Sequence, residues 1–372
     1  MHMLNALIKR YAVFAVAALC FSCLTSLCVA AGQSVVPDVL DLPAQQNSRA
    51  QQGLLLAAAH AGQRLVVVGE RGSVLLSDDA GRSWRQARSV PVSVLLTDVD
   101  FPTATQGWAV GHSGVVLHSS DAGETWQRQL DGRQVAQVIL DDARQRAAAG
   151  EEGADAAVRS AGFLVSDGPD KPFLSVRFSD EQHGYVVGAY GIALVTADGG
   201  QSWQSLVGRI PNPRGKHLYQ VQIDNRQLLI AGEQGALFRS ADGGGHFSEI
   251  STPYIGTFFG VLNLDGDTLL AYGLRGNAWR SPDRGASWQR VAPQQSVTLS
   301  AARRLRDDSL LLADESGRLL RSTDDARSFV VLNTQAGAGL CGLIEATDGA
   351  LVIFGARGLS RIEPATLVSG VQ

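Results

Sequence analysis

Lysine is almost missing from this chain. Beyond residue 31 only Lys171 and Lys216 occur, and arginine carries the rest of the positive charge. With Lys+Arg 32 against Asp+Glu 36 and a net charge of −4, the composition lacks the broad basic surface of a nucleic-acid-binding protein. Cysteine is equally scarce. Cys20, Cys23 and Cys28 fall within the first 31 residues, which leaves Cys341 alone and excludes an internal disulfide in the remainder. That residue is expected in the core as a small apolar side chain. The 7 histidines are scattered, with no spacing and no cysteine partners that would describe zinc, so neither a metal nor a cofactor is expected. No Gly-x-Ser-x-Gly elbow occurs, and no glycine loop leads into a helix to cradle phosphate.

One apolar run stands out against this background. Lys9 and Arg10 precede Tyr11–Ala31, which has no charge and ends in small residues. This is the layout of a secretory signal, and about 20 apolar residues also suffice to span a bilayer if they are retained. Residues 1–31 are therefore expected to be a signal peptide or an uncleaved anchor. The protein is expected to be exported, to the periplasm or cell envelope, or to a compartment like the thylakoid lumen if the host is photosynthetic.

What the chain has in excess is glycine, 41 of 372 residues, with only 12 prolines. Many tight turns between short strands follow, and long helical bundles do not fit. The glycines are periodic. Ser77–Trp84 is SDDAGRSW, Ser119–Trp126 is SSDAGETW, Thr196–Trp203 is TADGGQSW and Ser281–Trp288 is SPDRGASW, and two worn copies end in Phe247 and Phe329. About ten residues before each copy, two residues are bracketed by glycines between apolar runs, first at Gly69–Gly72 and last at Gly355–Gly358. In the sixth, Asp314 replaces the first glycine. Successive starts are separated by 42, 77, 44, 41, 41 and 41 residues, so the long step is one repeat plus an insertion of about 35.

Each repeat reads as strand, bracketed turn, strand, Asp motif, strand, with one further strand in front. Four strands in about 42 residues make one blade of a β-propeller. Seven repeats over residues 34–363 define an all-β, seven-bladed β-propeller. Residues 131–172 are an insertion between blades 2 and 3 that is partly helical over Gln134–Gly150, and 364–372 form a tail. The last repeat offers three strands, so Ser34–Leu42 (SVVPDVLDL) is expected to supply the strand that closes the seventh blade. Asp79, Asp121, Asp198, Asp242, Asp283 and Asp324 are expected to be structural, accepting backbone N–H groups across their turns. They lie on different blades and cannot share an ion. Trp84, Trp126, Trp203 and Trp288 are expected to wedge between sheets.

The Ser/Thr-x-Asp-x-Gly-x-Ser/Thr-Trp motif is the Asp-box, or bacterial neuraminidase repeat. Seven such repeats after an export signal resemble the photosystem II stability/assembly factor family of propellers, in its bacterial branch. The resemblance implies a non-catalytic assembly or stability factor that binds a membrane or envelope protein complex. A membrane surface is a second expected contact, nucleic acid is excluded, and a monomer is expected. The alternative is a sialidase-like glycoside hydrolase or glycan-binding lectin, for which Glu70, Glu233 and Glu315 are the carboxylates that turns could bring toward the axis. Only a fragment of the sialidase Arg-Ile-Pro motif occurs, at Arg209-Ile210-Pro211, after the third blade.

Topology assigns the irregular residues to one side. Asp-box turns lie on one face, while bracketed turns and inter-blade links lie on the other. The second face is expected to bear Arg71, Tyr190, Arg275 and Arg357 in its turns, and Lys171, Arg209, Arg214, Lys216 and His217 in its links. It is also expected to bear the insertion helix as an apolar contact. Loops grafted on a rigid scaffold are where binding resides, so this is the expected partner-binding face.

Overall fold

The structure, a computed structural model, describes residues 37–291, 295–333, 337 and 339–368. The signal segment lies outside them, as do Ser34–Val36 of the expected closing strand. Seven antiparallel sheets are arranged as a seven-bladed propeller, six with four strands and the last with three. The innermost strands are Leu55–Ala61, Leu96–Asp100, Phe173–Phe178, Leu218–Asp224, Phe258–Asn263, Leu299–Arg304 and Leu340–Glu345. Each touches the next, and the last touches the first, so the ring is closed. Second strands such as Val66–Val68 are wholly buried because a blade has a neighbour on both faces, which is why they are continuous apolar runs rather than alternating ones. The outermost strands of blades 1 and 3 to 6 are only two residues long and mostly exposed, which leaves little edge to pair with another chain.

Closure of the seventh blade differs from expectation. Its sheet has three strands among the described residues, ending in Gly358–Ile362. Val39–Leu42 does not join it. Leu40 is buried with Val92, Val94 and Leu96 between blades 1 and 2, and Ser93 N–H donates to Val39 O at 2.8 Å. Pro37 and Pro43 flank this segment and offer no N–H to a ladder. The short turn Ala50–Gln52 lies against the third strand of blade 7 instead.

In the bracketed turns the first glycine is extended, not left-handed. Gly69 has φ −174°, and a Cβ there would stand 2.1 Å from Leu54 O of the inner strand. Positive φ falls on the second bracketed residue and on the closing glycine, at Arg71 (54°) and Gly72 (69°) in blade 1.

Each Asp-box is a self-contained hydrogen-bond cluster. Asp79 Oδ1 accepts from Ser77 Oγ (2.8 Å) and from the N–H groups of Arg82 (3.1 Å) and Ser83 (2.8 Å), and Oδ2 accepts from Ser83 Oγ (2.6 Å). Asp242 accepts likewise from Ser240 Oγ (2.7 Å) and His246 N–H (3.0 Å), with His246 Nδ1 in place of the second hydroxyl at 2.8 Å. These donors favour the ionised carboxyl. All six box aspartates are held below the ordinary carboxylate range. Asp79 falls to about 2, chiefly through the Ser83 hydroxyl and then the Ser83 N–H. Trp126 and Trp203 close their boxes by burying against the preceding blade, while Trp84 and Trp288 stay partly exposed.

The boxes also fasten the blades together. The fourth box residue has positive φ in every copy (Ala80, Ala122, Gly199, Gly243, Arg284 and Asp325), and its carbonyl accepts a hydrogen bond from the preceding blade. Arg64 reaches Ala122 O (3.1 Å), Gln129 reaches Gly199 O (2.9 Å) and Tyr185 reaches Gly243 O (2.9 Å). Arg239 reaches Arg284 O (3.1 Å) and Arg280 reaches Asp325 O (2.7 Å). Arg361 of blade 7 completes the circle on Ala80 O at 3.0 Å. Blade 7 has no box, so the junction from blade 6 to blade 7 lacks this bond.

Replacing Asp198 with Ala removes the acceptor of one such cluster and is expected to cost about 1–3 kcal/mol in denaturant unfolding. Because the folded-state pKa values are depressed, the boxes contribute stability at neutral pH. That contribution is lost as pH falls from about 4, the ordinary aspartate value, through the lowered folded values. Near-ultraviolet dichroism of the tryptophans is expected to report acid unfolding in that window, and a signal unchanged down to pH 2 would contradict the assignment.

Candidate binding face

The face opposite the Asp-boxes is built from one repeated backbone device. The second bracketed residue is left-handed in Arg71, Ser113, Tyr190, Gln234 and Arg275, with φ between 54° and 58°. The closing glycine follows, pressed on the inter-blade link: a Cβ on Gly72 would lie 2.1 Å from Val92 O. The left-handed residue itself is turned outward, so its side chain is free to vary. Arg71, Arg275 and Arg357 are exposed there on blades 1, 5 and 7, and among the described residues none of them forms an ion pair.

Blade 3 gathers several of the expected residues into one cluster. The Tyr190 ring is 59% exposed and lies under Lys171 Nζ, 5.2 Å from its centroid. Tyr190 N–H donates to His217 Nδ1 at 2.7 Å, which leaves the imidazole proton on Nε2. The rings of Tyr190 and His217 meet edge to face at 5.0 Å, His217 and Tyr219 at 6.5 Å, and Tyr219 and Phe259 at 5.1 Å. This aromatic stripe descends from the outer turn to the innermost strands of blades 4 and 5. Glu233, one of the carboxylates of the hydrolase reading, has its Oε1 engaged by His217 N–H at 3.0 Å. Lys171 is itself paired with Asp167 (3.4 Å) and Asp170.

Two residues expected on this face are not displayed by it. Lys216 is 8% exposed and pairs with Glu249 at 3.5 Å, because Asn212 folds the link back and bonds both its N–H and its carbonyl. Arg209 extends toward the Asp-box side of blade 4 and donates to Gly244 O at 3.4 Å. Arg214 is exposed in the same link.

The insertion is a hairpin of two helices, α1 (Gly132–Ala148) and α2 (Ala154–Asp167), not one. Asp131 and Gln134 form a capping box at the start of α1. The apolar face of α1 is not offered to a partner. Val135, Ile139, Leu140 and Ala143 are buried with Leu130 and Trp203 of the propeller. The exposed apolar side chains belong to α2, where Phe163 is 68% and Val165 44% exposed. Apolar residues at 157, 158, 161 and 164 carry the helical spacing that identifies α2 in the sequence. Ile255, in the link between blades 4 and 5, is 90% exposed and has no periodic signal at all.

These features define a seven-bladed Asp-box propeller with one structural face and one variable, loop-bearing face. Residues 164–358 match the model of the photosynthesis system II assembly factor YCF48 family, and the chain belongs to that family. A photosystem II assembly lipoprotein, Ycf48 of Synechococcus sp. (strain CC9902), is 31% identical over 77 residues, which is 21% of this chain and 23% of that protein. Among solved structures, YCF48 bound to D1 peptide superimposes with a TM-score of 0.63 at 15% identity, over 86% of this chain and 95% of its own. YCF48 from Cyanidioschyzon merolae gives 0.62 at 16% identity, over 86% and 98%.

The left-handed backbone at Tyr190 makes glycine the conformationally favoured residue there. Tyr190→Gly is accordingly expected to leave the melting temperature within about 2 °C of the parent, whereas Gly72→Ala lowers it strongly or prevents folding. Thermal unfolding of the two purified variants checks both.

Proposed function

We propose that this chain is a non-catalytic, exported binding protein that holds a membrane-protein partner during assembly, and that it does so with the loop face. The observation that carries this reading is the division of labour between the faces. Box turns are saturated by their own hydrogen bonds and by those of neighbouring blades. The opposite turns display unpaired arginines, Tyr190 and, on the insertion, Phe163. A guanidinium on a rigid turn recognises carboxylates with two parallel hydrogen bonds at small entropic cost. An exposed aromatic on a helix supplies the apolar anchor that such surfaces use. Family membership supports a partner in the membrane, and the relative solved with D1 peptide supports a polypeptide as what is bound. The uncharged run Tyr11–Ala31 supports export, and the closed ring supports a monomer.

Crosslinked pull-down from native membranes tests the proposal. Arg71→Glu with Arg357→Glu, and separately Phe163→Glu, are expected to reduce capture of the partner about tenfold or more while the melting temperature changes little, since exposed residues add little to stability. Glu181→Lys, in a turn on the Asp-box side, is the control and is expected to capture normally. The opposite pattern, with only the control impaired, would put the binding surface on the other face. Turnover on a panel of fluorogenic glycosides would replace this reading with the hydrolase.

A further inference from the structure

The seven innermost strands enclose a cavity of about 450 Å³ on the propeller axis, within the size range of small-molecule sites. Its lining is polarised. Every inner strand begins beside its bracketed turn, as Leu55 opposite Gly69 and Leu299 opposite Asp314 show, and ends toward the Asp-box side. Leu56, Leu174, Tyr219, Phe259 and Cys341 come early in their strands and make the loop-side half apolar and aromatic. Cys341, expected in the core, faces this space half-buried. Arg177, Gln222, Asn263 and Arg303 come late and make the other half polar.

The polar half has donors to spare. Asp98 is fully engaged: it accepts from Val99 N–H (2.9 Å), Ser175 Oγ (2.9 Å), Val176 N–H (3.0 Å) and Arg177 Nη1 (2.9 Å). That leaves Arg303 with no ion pair among the described residues, although the Asp98 and Asp100 carboxylates act on it at longer range. Its guanidinium makes one long hydrogen bond, to Ala58 O at 3.5 Å, although it carries five N–H donors. Gln220 and Gln222 use their carbonyl oxygens on the N–H groups of Val261 (2.8 Å) and Asn263 (2.9 Å), so their NH₂ donors remain. A half-buried guanidinium with most of its donors unused and no carboxylate in direct contact is a ready partner for a ligand that brings one.

We propose that the channel is a binding site for a carboxylate borne on an apolar or aromatic body, with the carboxylate against Arg303 and the body between Tyr219, Phe259, Leu56 and Leu174. Two sources share this chemistry, a small organic acid and the free C-terminus of a polypeptide. The site stands independently of the loop-face proposal, though the stripe from Tyr190 to Phe259 joins the two.

Calorimetric titration of the purified protein tests it with four probes. These are 4-phenylbutanoate, its amide, and the peptide acetyl-Ala-Ala-Leu-Phe as free acid and as C-terminal amide. At least one acid is expected to bind saturably, and its amide at least tenfold more weakly. Binding of 4-phenylbutanoate alone assigns the small acid, and binding of the peptide acid assigns the chain end. Arg303→Gln is expected to weaken the acid at least tenfold while changing the melting temperature of the unliganded protein little, because the one hydrogen bond it puts at risk is the long one to Ala58 O. Arg290→Gln, on the outer strand of blade 5, is expected to bind as the parent does. Equal binding of acid and amide, absence of saturable binding by either acid, or full affinity in Arg303→Gln would overturn the proposal. The acid–amide comparison on the parent decides the matter even if Arg303→Gln does not fold.

Discussion

The hydrogen bond from one blade to the fourth carbonyl of the next blade's Asp-box is the contact on which this architecture rests. A propeller blade has no covalent lock to its neighbour, and here no disulfide is available to provide one. Apolar stacking between sheets is strong but non-directional, and would allow blades to slide or splay. The box turn, forced into two successive left-handed residues, directs a carbonyl sideways, where an arginine, glutamine or tyrosine meets it. The aspartate is what keeps that turn in shape. Its pre-arranged donors hold the carboxylate ionised, and the turn geometry follows from satisfying it.

This division explains why one face of the molecule is uniform and the other is not. Box turns cannot change without loosening two blades at once. Bracketed turns are fixed only in backbone, by glycines that approach the inner strand and the links, while the outward residue between them is unconstrained by packing. Binding chemistry accumulates where the scaffold is indifferent to side-chain identity. The insertion follows the same rule with one qualification. Its first helix is spent on covering Trp203 and Leu130, and the exposed apolar side chains lie on the second.

The repeat made the fold legible. Period, turn residues and the Asp-box together specify seven blades, because each states a local requirement that the next blade repeats. What was not legible depended on contacts between repeats. Ser34–Leu42 has the apolar content of a strand, yet Pro37 within it, Pro43 just after it and the pocket for Leu40 between blades 1 and 2 decide otherwise. Lys216 and Arg209 are surface residues by composition, and only the folding back of their link buries one against Glu249 and sends the other to Gly244. The donors that fasten the blades differ in type and strand position from one blade to the next, so no repeat signature announces them. Arg303 is likewise unremarkable in sequence. Its significance is that no carboxylate among the described residues pairs with it directly, which is a property of seven strands at once.

Six of the seven blade junctions carry the directional bond, and the one from blade 6 to blade 7 does not, since blade 7 ends before an Asp-box. Rotational symmetry is thereby broken at a single place. The joint is fastened there by other means: Arg306 of blade 6 donates its N–H to Glu345 Oε2 of blade 7 at 2.9 Å and its guanidinium to Thr347 O at 2.9 Å. A single exposed arginine thus does at this joint what a whole turn does at the others, so the seventh joint can be altered by one residue without disturbing any box.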